Sequence, residues 1–105
     1  MRLKKQYLKS RPVCKVTFRI SKDAAKSATA IALVGDFNAW DATTHPMNAL
    51  KNGEFTTVVA LPTSTSEYQF RYLYQQEAQQ QWENDWQADA YVTNGFGEEN
   101  SVVRV

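Results

Sequence analysis

Three tryptophans are the residues of this chain with the most informative chemistry. Trp40 follows a turn, and Trp82 and Trp86 follow a glutamine-rich stretch. An indole offers a flat apolar face and one N–H donor, and sugar rings have apolar C–H faces that stack on such a plane. One interpretation of these residues is therefore sugar binding. The other is that one or two of the rings close the ends of a folded domain.

Side chains that support catalysis or metal binding show no recognisable arrangement. His45 has no second histidine or cysteine at a spacing suited to a metal, and Pro46 beside it predicts an exposed loop. The chain has no nucleophile-elbow, phosphate-binding or dinucleotide-binding motif, and its carboxylates lack the spacing of an acid–base pair. The sequence therefore predicts neither an enzyme nor a metal or cofactor site.

Length and composition indicate one globular domain. The chain has 105 residues, of which 43% are hydrophobic and 22% charged, and a chain of this size forms a single hydrophobic core. The formal net charge is +1, so we expect no attraction to nucleic acid or to an anionic membrane. Residues 1–11 are locally basic, and we interpret them as a solvated arm before a single domain at residues 12–105.

The lone cysteine and the N-terminal region indicate in which cellular compartment the protein is expected. Cys14 has no partner for an intramolecular disulfide, and its apolar neighbours predict a buried strand position. The N-terminal region has no apolar run long enough for a signal peptide or a membrane span. The cytoplasm is therefore the expected location.

Alternation of apolar and polar residues predicts β-strands. Residues 13–20 alternate in this way, and residues 68–74 alternate four aromatic side chains with polar or aliphatic ones. We assign these aromatic residues to a sandwich core rather than to a binding surface. They are Tyr68, Phe70, Tyr72 and Tyr74. Further strands are predicted at 30–36, 55–61, 82–86 and 101–105. About six to eight short strands without βαβ spacing predict an all-β fold, a two-sheet antiparallel sandwich.

Turn signals separate the predicted strands. The dipeptide Asn52-Gly53 predicts a type I′ hairpin turn. Residues 21–29 are expected to be a connection and residues 94–97 a turn-rich loop. The glutamine-rich residues 75–81 are interpreted as an extended hairpin loop.

Several motifs resemble those of family 48 carbohydrate-binding modules. Residues 31–40, IALVGDFNAW, resemble the G-x-F-N-x-W motif that opens the glycan site of that family. The family includes the N-terminal domains of isoamylases and branching enzymes and the glycogen-binding domain of the AMP-activated protein kinase β subunit. The similarity continues at Leu61-Pro62, 67–72, 82–85 and 97–103, so that it covers roughly residues 12–105.

The resemblance implies an immunoglobulin-like β-sandwich of the early set and non-catalytic binding of an α-glucan such as glycogen, starch or maltodextrin. It implies that Trp40 and Trp82 flank glucose units and that Arg71 and Asn100 hydrogen-bond their hydroxyls. Phe96 stands where the family often presents an apolar side chain to the glucan helix.

Three positions depart from the family pattern. Residues 75–81 are predicted to lengthen the hairpin before Trp82 without a glycine, and Glu98 stands where the kinase domain has a small hydroxyl residue. Trp86 has no family counterpart. It is either a replacement platform or a core residue, and the strand parity that it shares with Trp82 favours the core.

The alternative function is a protein-interaction module that docks on a carbohydrate-active enzyme or another partner without binding sugar itself. It predicts a contiguous apolar patch, whereas sugar binding predicts a groove flanked by polar groups. The placement of Arg71 and Asn100 beside the tryptophans favours sugar binding. An exposed edge strand could pair with a second chain, and the sequence leaves the oligomeric state open.

Overall fold

Two antiparallel β-sheets pack face to face in the computed structural model, which describes residues 3–105. The strands along the chain are β1 (Lys4–Tyr7), β2 (Val13–Ile20), β3 (Ala30–Gly35), β4 (Asn48–Ala49), β5 (Phe55–Pro62), β6 (Glu67–Gln76), β7 (Gln79–Glu83), β8 (Ala90–Thr93) and β9 (Glu99–Arg104). The first sheet has the order β1-β2-β5-β4 and the second β3-β6-β9-β8, with β7 also paired to β6. This arrangement confirms the predicted all-β, immunoglobulin-like sandwich.

The number of strands exceeds the predicted six to eight because three short edge strands lie outside the predicted segments: β1 and β4 in the first sheet and β8 in the second. Within residues 3–105 there are nine strands, of which β4 has only two residues. β1 pairs with β2 from Lys4 opposite Thr17 to Tyr7 opposite Cys14. Residues 4–7 thus extend a sheet where the sequence predicted a solvated arm, and Leu3 before them is buried.

Alternation along β2 and β6 builds the core between the sheets. The inward residues of β2 are buried, including Cys14 as predicted. The four aromatic residues of β6 are also buried, which confirms their assignment to the core. Phe18 of β2 meets Phe70 of β6 edge to face, with 5.1 Å between the ring centroids. Aromatic pairs of this kind add to the stabilisation from apolar burial.

The turn between β4 and β5 is not of the predicted type. The Leu50 amide donates to the Glu54 carbonyl at 2.7 Å, and the Gly53 amide donates to the Leu50 carbonyl at 3.0 Å. Gly53 has a φ of 90°, but Asn52 does not have a positive φ, whereas a type I′ turn needs one at both central residues. The loop has three residues and ends in a glycine, as in a type I turn followed by a G1 bulge.

The glutamine-rich segment is strand rather than the predicted extended loop. Residues 75–76 end β6 and residues 79–81 begin β7, with Gln76 opposite Gln79. Only Glu77 and Ala78 remain for the turn, and Glu77 has a φ of 53°. The predicted strand at 82–86 is correspondingly shifted, since β7 ends at Glu83. The longer hairpin places Trp82 directly opposite Leu73.

A buried aspartate fixes the chain just after β7. Asp85 is fully buried; its carboxylate accepts hydrogen bonds from the Tyr72 hydroxyl at 2.7 Å and from the Gln87 amide at 2.8 Å. The Asp85 amide donates to the Ser101 hydroxyl at 2.9 Å. A buried carboxylate is stable only when it is hydrogen-bonded in this way. Asp85 therefore ties the end of the β6–β7 hairpin to β6 and β9.

No helix among residues 3–105 is long and apolar enough to cross a membrane.

Gly35 permits the close approach of β3 to β6. A Cβ atom at this position would lie 2.5 Å from the Gln69 carbonyl oxygen and 2.8 Å from the Phe70 Cβ. We expect Gly35→Ala to lower the free energy of unfolding by about 1–3 kcal/mol, because the backbone atoms must move apart. Urea denaturation measures the change. Gly95→Ala is the matched control, since nothing lies within 4 Å of its added Cβ, and equal losses in the two variants would contradict the steric argument.

The buried tyrosines predict a loss of stability at alkaline pH. Burial first, then the neighbouring carboxylates, raises the pKa of Tyr74 to about 12 and holds the pKa of Tyr72 well above its ordinary value. An unfolded tyrosine loses its proton near pH 10. Between about pH 10 and 12 the unfolded chain thus binds fewer protons than the folded one, so the free energy of unfolding falls as pH rises.

Urea midpoints measured from pH 8 to pH 11.5 test this expectation. Tyr74→Phe removes the titrating hydroxyl and should make the fall above about pH 10 shallower. The same pH dependence in the wild type and this variant would show that ionisation of Tyr74 does not contribute to the loss of stability at alkaline pH.

Candidate functional site

The outward face of the second sheet brings three of the five predicted site residues together. Arg71 lies on β6, Trp82 on β7 and Asn100 on β9. β9 pairs with residues 67–70 of β6 and β7 with residues 72–76, so that Arg71 lies where the two strands succeed each other. Outward and inward side chains alternate along each strand. Because the aromatic residues of β6 point into the core, the residues between them face outward.

Arg71 packs on the indole of Trp82. Its guanidinium carbon lies 5.6 Å from the ring centroid, which is within range of a cation–π interaction. Its Nη2 atom is 3.6 Å from Oε2 of Glu98, an ion pair that is too long for a hydrogen bond. The side chain of Arg71 is only 14% exposed, whereas Trp82 is 43% exposed. The arginine is thus held by a ring and a carboxylate, while much of the ring faces solvent.

Two buried polar atoms at this place have no hydrogen-bond partner among residues 3–105. They are Nε of Arg71 and Oδ1 of Asn100. The amide nitrogen of Asn100 donates to Oε1 of Gln69 at 3.0 Å, which fixes the orientation of the Asn100 amide. Buried polar groups are nearly always paired, and an unpaired one calls for a ligand, a water or another explanation. A donor and an acceptor are left unpaired on the same face.

Trp40 is held beside this face by Asp36. The indole nitrogen donates to Oδ1 of Asp36 at 3.0 Å, and Oδ2 of Asp36 accepts from the Gln69 amide of β6 at 2.7 Å. Asp36 therefore joins Trp40 to the strand that carries Arg71. Trp40 remains 37% exposed. Ala39 and Trp40 have φ values of 55° and 59°, a left-handed conformation that is costly for residues with a Cβ and often occurs at functional sites.

The residues before Trp40 explain how the sequence forms this turn. The Asn38 side chain accepts from the Gly35 amide at 3.0 Å and donates to the Leu33 carbonyl at 3.0 Å, so it completes the hydrogen bonds at the end of β3. Phe37 packs against Phe18 and Tyr68 of the core. In the G-x-F-N-x-W motif, the first three fixed residues are therefore structural and position the tryptophan.

The loop after Trp40 is also locally fixed. The amide and hydroxyl of Thr43 donate to Oδ1 of Asp41 at 2.8 and 2.6 Å. These hydrogen bonds lower the pKa of Asp41. The expectation of an exposed His45 is wrong, because this residue is half-buried and its carbonyl accepts from the Leu33 amide of β3 at 2.9 Å. Its Nδ1 atom also lies 2.9 Å from the Asn38 side-chain nitrogen.

Phe96 stands apart from the other predicted site residues. It lies in the β8–β9 loop, and 90% of it is exposed. The Asn94 carboxamide oxygen shapes this loop by accepting from the Phe96 amide at 2.9 Å and from the Glu98 amide at 3.1 Å. No ring contact within residues 3–105 joins Phe96 to Trp40 or Trp82.

The structure corrects the interpretation of Trp86 as a core residue. Trp86 is 64% exposed. The parity argument fails because β7 ends at Glu83, so that Trp82 and Trp86 do not share a strand. The adjacent residue Asp85 is buried instead. Sequence reasoning missed the roles of Asp85, Asp36 and Gln69, since each of them also bonds to a residue on a strand that is at least 13 residues away in the sequence.

One family model matches this chain. It is described as carbohydrate-binding module 48 (isoamylase N-terminal domain), and it matches residues 15–92. The match includes Trp40, Arg71 and Trp82, and it ends before Phe96 and Asn100. No curated protein matches the chain. Because the match covers most of the sequence and the fold agrees with it, this chain belongs to family 48 of the carbohydrate-binding modules, a family of non-catalytic domains also described as the isoamylase N-terminal domain.

Proposed function

We propose that this domain binds an α-glucan on the outward face of the second sheet and has no catalytic activity of its own. The observation that carries the proposal is the state of Arg71. Its guanidinium lies against Trp82 and makes no hydrogen bond within residues 3–105. Sugar hydroxyls are suitable partners for the unused donors, since guanidinium groups hydrogen-bond oxygen acceptors well.

The exposed rings supply the apolar part of the interaction. Trp82 and Trp40 each have exposed area, and both are held by neighbouring side chains: Trp82 by Arg71, Trp40 by Asp36. Rigid rings lose little conformational entropy when a ligand binds. The open face and the small number of polar contacts suit a modest affinity, with a dissociation constant on the order of millimolar to micromolar, or about 4–8 kcal/mol of binding free energy.

The preference for α-linked glucose rests on the likeness of the motifs around Trp40, Arg71 and Trp82 to those of glycogen-binding members of the family. A long glucan presents many copies of the same unit, so that several domains on one polymer gain avidity. The proposal requires no cofactor.

A second candidate function is docking on a carbohydrate-active enzyme. The exposure of Phe96 and Trp86 favours it, because neither ring makes a ring contact or a cation–π contact with the Arg71 and Trp82 pair. Large exposed aromatic side chains are frequent in protein interfaces. Sugar binding ranks first because the polar groups beside Trp82 have no role in an apolar patch.

Titration with maltoheptaose and β-cyclodextrin, followed by calorimetry or tryptophan fluorescence, tests the sugar site. We expect saturable binding by the wild type, and dissociation constants at least about tenfold higher in Trp40→Ala and Trp82→Ala, because each loses an apolar stacking surface. Trp86→Ala is the matched control and should bind like the wild type.

Cellohexaose is the ligand control, and no saturable binding is expected with it. The absence of any response of the folded wild type to millimolar α-glucan would refute the proposed function. It would leave protein docking as the better account of the exposed aromatic residues.

Glu98 provides a second test because its carboxylate competes with a sugar for Arg71. We expect Glu98→Gln to bind maltoheptaose about two to five times more tightly, as a weak exposed ion pair no longer has to be broken. The matched control is Glu99→Gln, on the neighbouring exposed residue. Added salt screens the ion pair and should narrow the difference between wild type and Glu98→Gln. Weaker binding by Glu98→Gln would instead mean that Glu98 itself contacts the sugar.

A further inference from the structure

A shallow concavity of about 290 Å³ lies on the same outward face as Trp82. Its floor crosses β3, β6 and β7, and the loop that follows Trp40 forms one wall. Leu73 in the floor is directly opposite both Ala32 of β3 and Trp82 of β7. Two larger concavities, of about 500 and 530 Å³, lie elsewhere, and neither Leu73 nor Gln80 lines them.

The lining of this concavity combines an apolar floor with a polar rim. Leu73 and Pro46 are apolar, while Thr43, Gln75 and Gln80 carry hydroxyl or amide groups. Every lining residue is uncharged. Such a lining suits a neutral ligand with hydroxyl groups, since a charged ligand would lose its hydration without gaining an opposite charge.

The polar rim retains unused hydrogen-bonding capacity. The Gln75 side-chain nitrogen donates to the Glu77 carbonyl at 2.7 Å, and the side-chain oxygen makes no hydrogen bond to any residue between 3 and 105. The Gln80 side chain makes no hydrogen bond to any other residue between 3 and 105. The Thr43 hydroxyl donates to Asp41 and can still accept. Each group can therefore meet a ligand hydroxyl.

The long β6–β7 hairpin creates this rim. Gln80 lies directly opposite Gln75. Trp82 is two residues further along β7 and faces the same side of the sheet, so that it lies about 7 Å from Gln80. A shorter β6–β7 hairpin would end before Gln75 and Gln80, and the rim of the concavity would lose both side-chain amides. The outward residues of β6 from Gln69 to Gln75 span about 20 Å along the strand. The face is thus continuous from Asn100 and Arg71 to Gln80.

We infer that this concavity is a second sugar subsite, which takes glucose units of the same glucan chain beyond those held at Trp82 and Arg71. The inference rests on the proposed function. It makes Gln80 a specificity-determining residue that favours long over short α-glucans. A short oligosaccharide occupies the Trp82 end alone, and a longer one reaches the amides of the hairpin.

Binding of maltotriose and maltoheptaose to Gln80→Ala tests the inference. We expect the dissociation constant for maltoheptaose to rise about three- to tenfold and that for maltotriose to change by less than about twofold, as one hydrogen-bonding group is lost only for the longer ligand. The matched control is Gln79→Ala, in which the same residue type is changed at the adjacent position, paired with Gln76. Circular dichroism confirms that each variant is folded.

The side-chain amide resonances of Gln80 give an independent readout in nuclear magnetic resonance spectra. They should shift with maltoheptaose and remain in place with maltotriose. If the wild type binds glucan but Gln80→Ala behaves like Gln79→Ala, or weakens both sugars equally, the second subsite is refuted and the proposed function stands. If the wild type binds no α-glucan, the proposed function fails as well.

Discussion

The alternation of side chains along β6 is the constraint on which the rest of the structure depends. Four aromatic residues of this strand enter the core, and the residues between them face outward. A shift of pairing by one residue would exchange the two faces and expose the aromatic rings, which a sandwich of this size cannot tolerate. The same packing that fixes the core therefore fixes Arg71 and Leu73 on the outside. The strand also pairs with β3, β7 and β9, so it carries the centre of the second sheet.

The residues of the turn before Trp40 hold the backbone of Trp40 in a strained conformation. Gly35 allows β3 to approach β6, and the Asn38 side chain completes the hydrogen bonds at the strand end. Phe37 anchors the turn in the core. These contacts maintain the left-handed backbone conformation of Trp40, and the hydrogen bond to Asp36 orients its indole ring. Strain of this kind persists only where the surrounding contacts enforce it.

The proposed sugar site differs from the core in how its polar groups are satisfied. Asp85 is buried and fully engaged with Tyr72, Ser101 and the adjacent backbone. Arg71 and Asn100 lie close to the surface and each keeps a buried polar atom unpaired among residues 3–105. Unpaired buried groups lower stability. Because these two atoms lie beside an exposed indole, ligand binding is the simplest explanation of why they are unpaired. The domain thus contains one polar network that serves folding and one set of polar groups that is open to a partner.

Local patterns in the sequence were enough to predict the long strands of both sheets, the aromatic core and the family, but not the short strands β1, β4 and β8. The alternation in β2 and β6 depends on residues two apart, and the G-x-F-N-x-W motif lies within one turn, so both can be recognised without knowledge of the partners. The same local reasoning was wrong for residues 75–81 and for Trp86, because the sequence does not show where β7 pairs with β6. Only the tertiary structure decided that Gln80 lies opposite Gln75, that Trp82 receives Arg71, and that Asp85 rather than Trp86 is buried. These facts depend on register and on contacts between distant strands, and such contacts are set by the packing of the whole core.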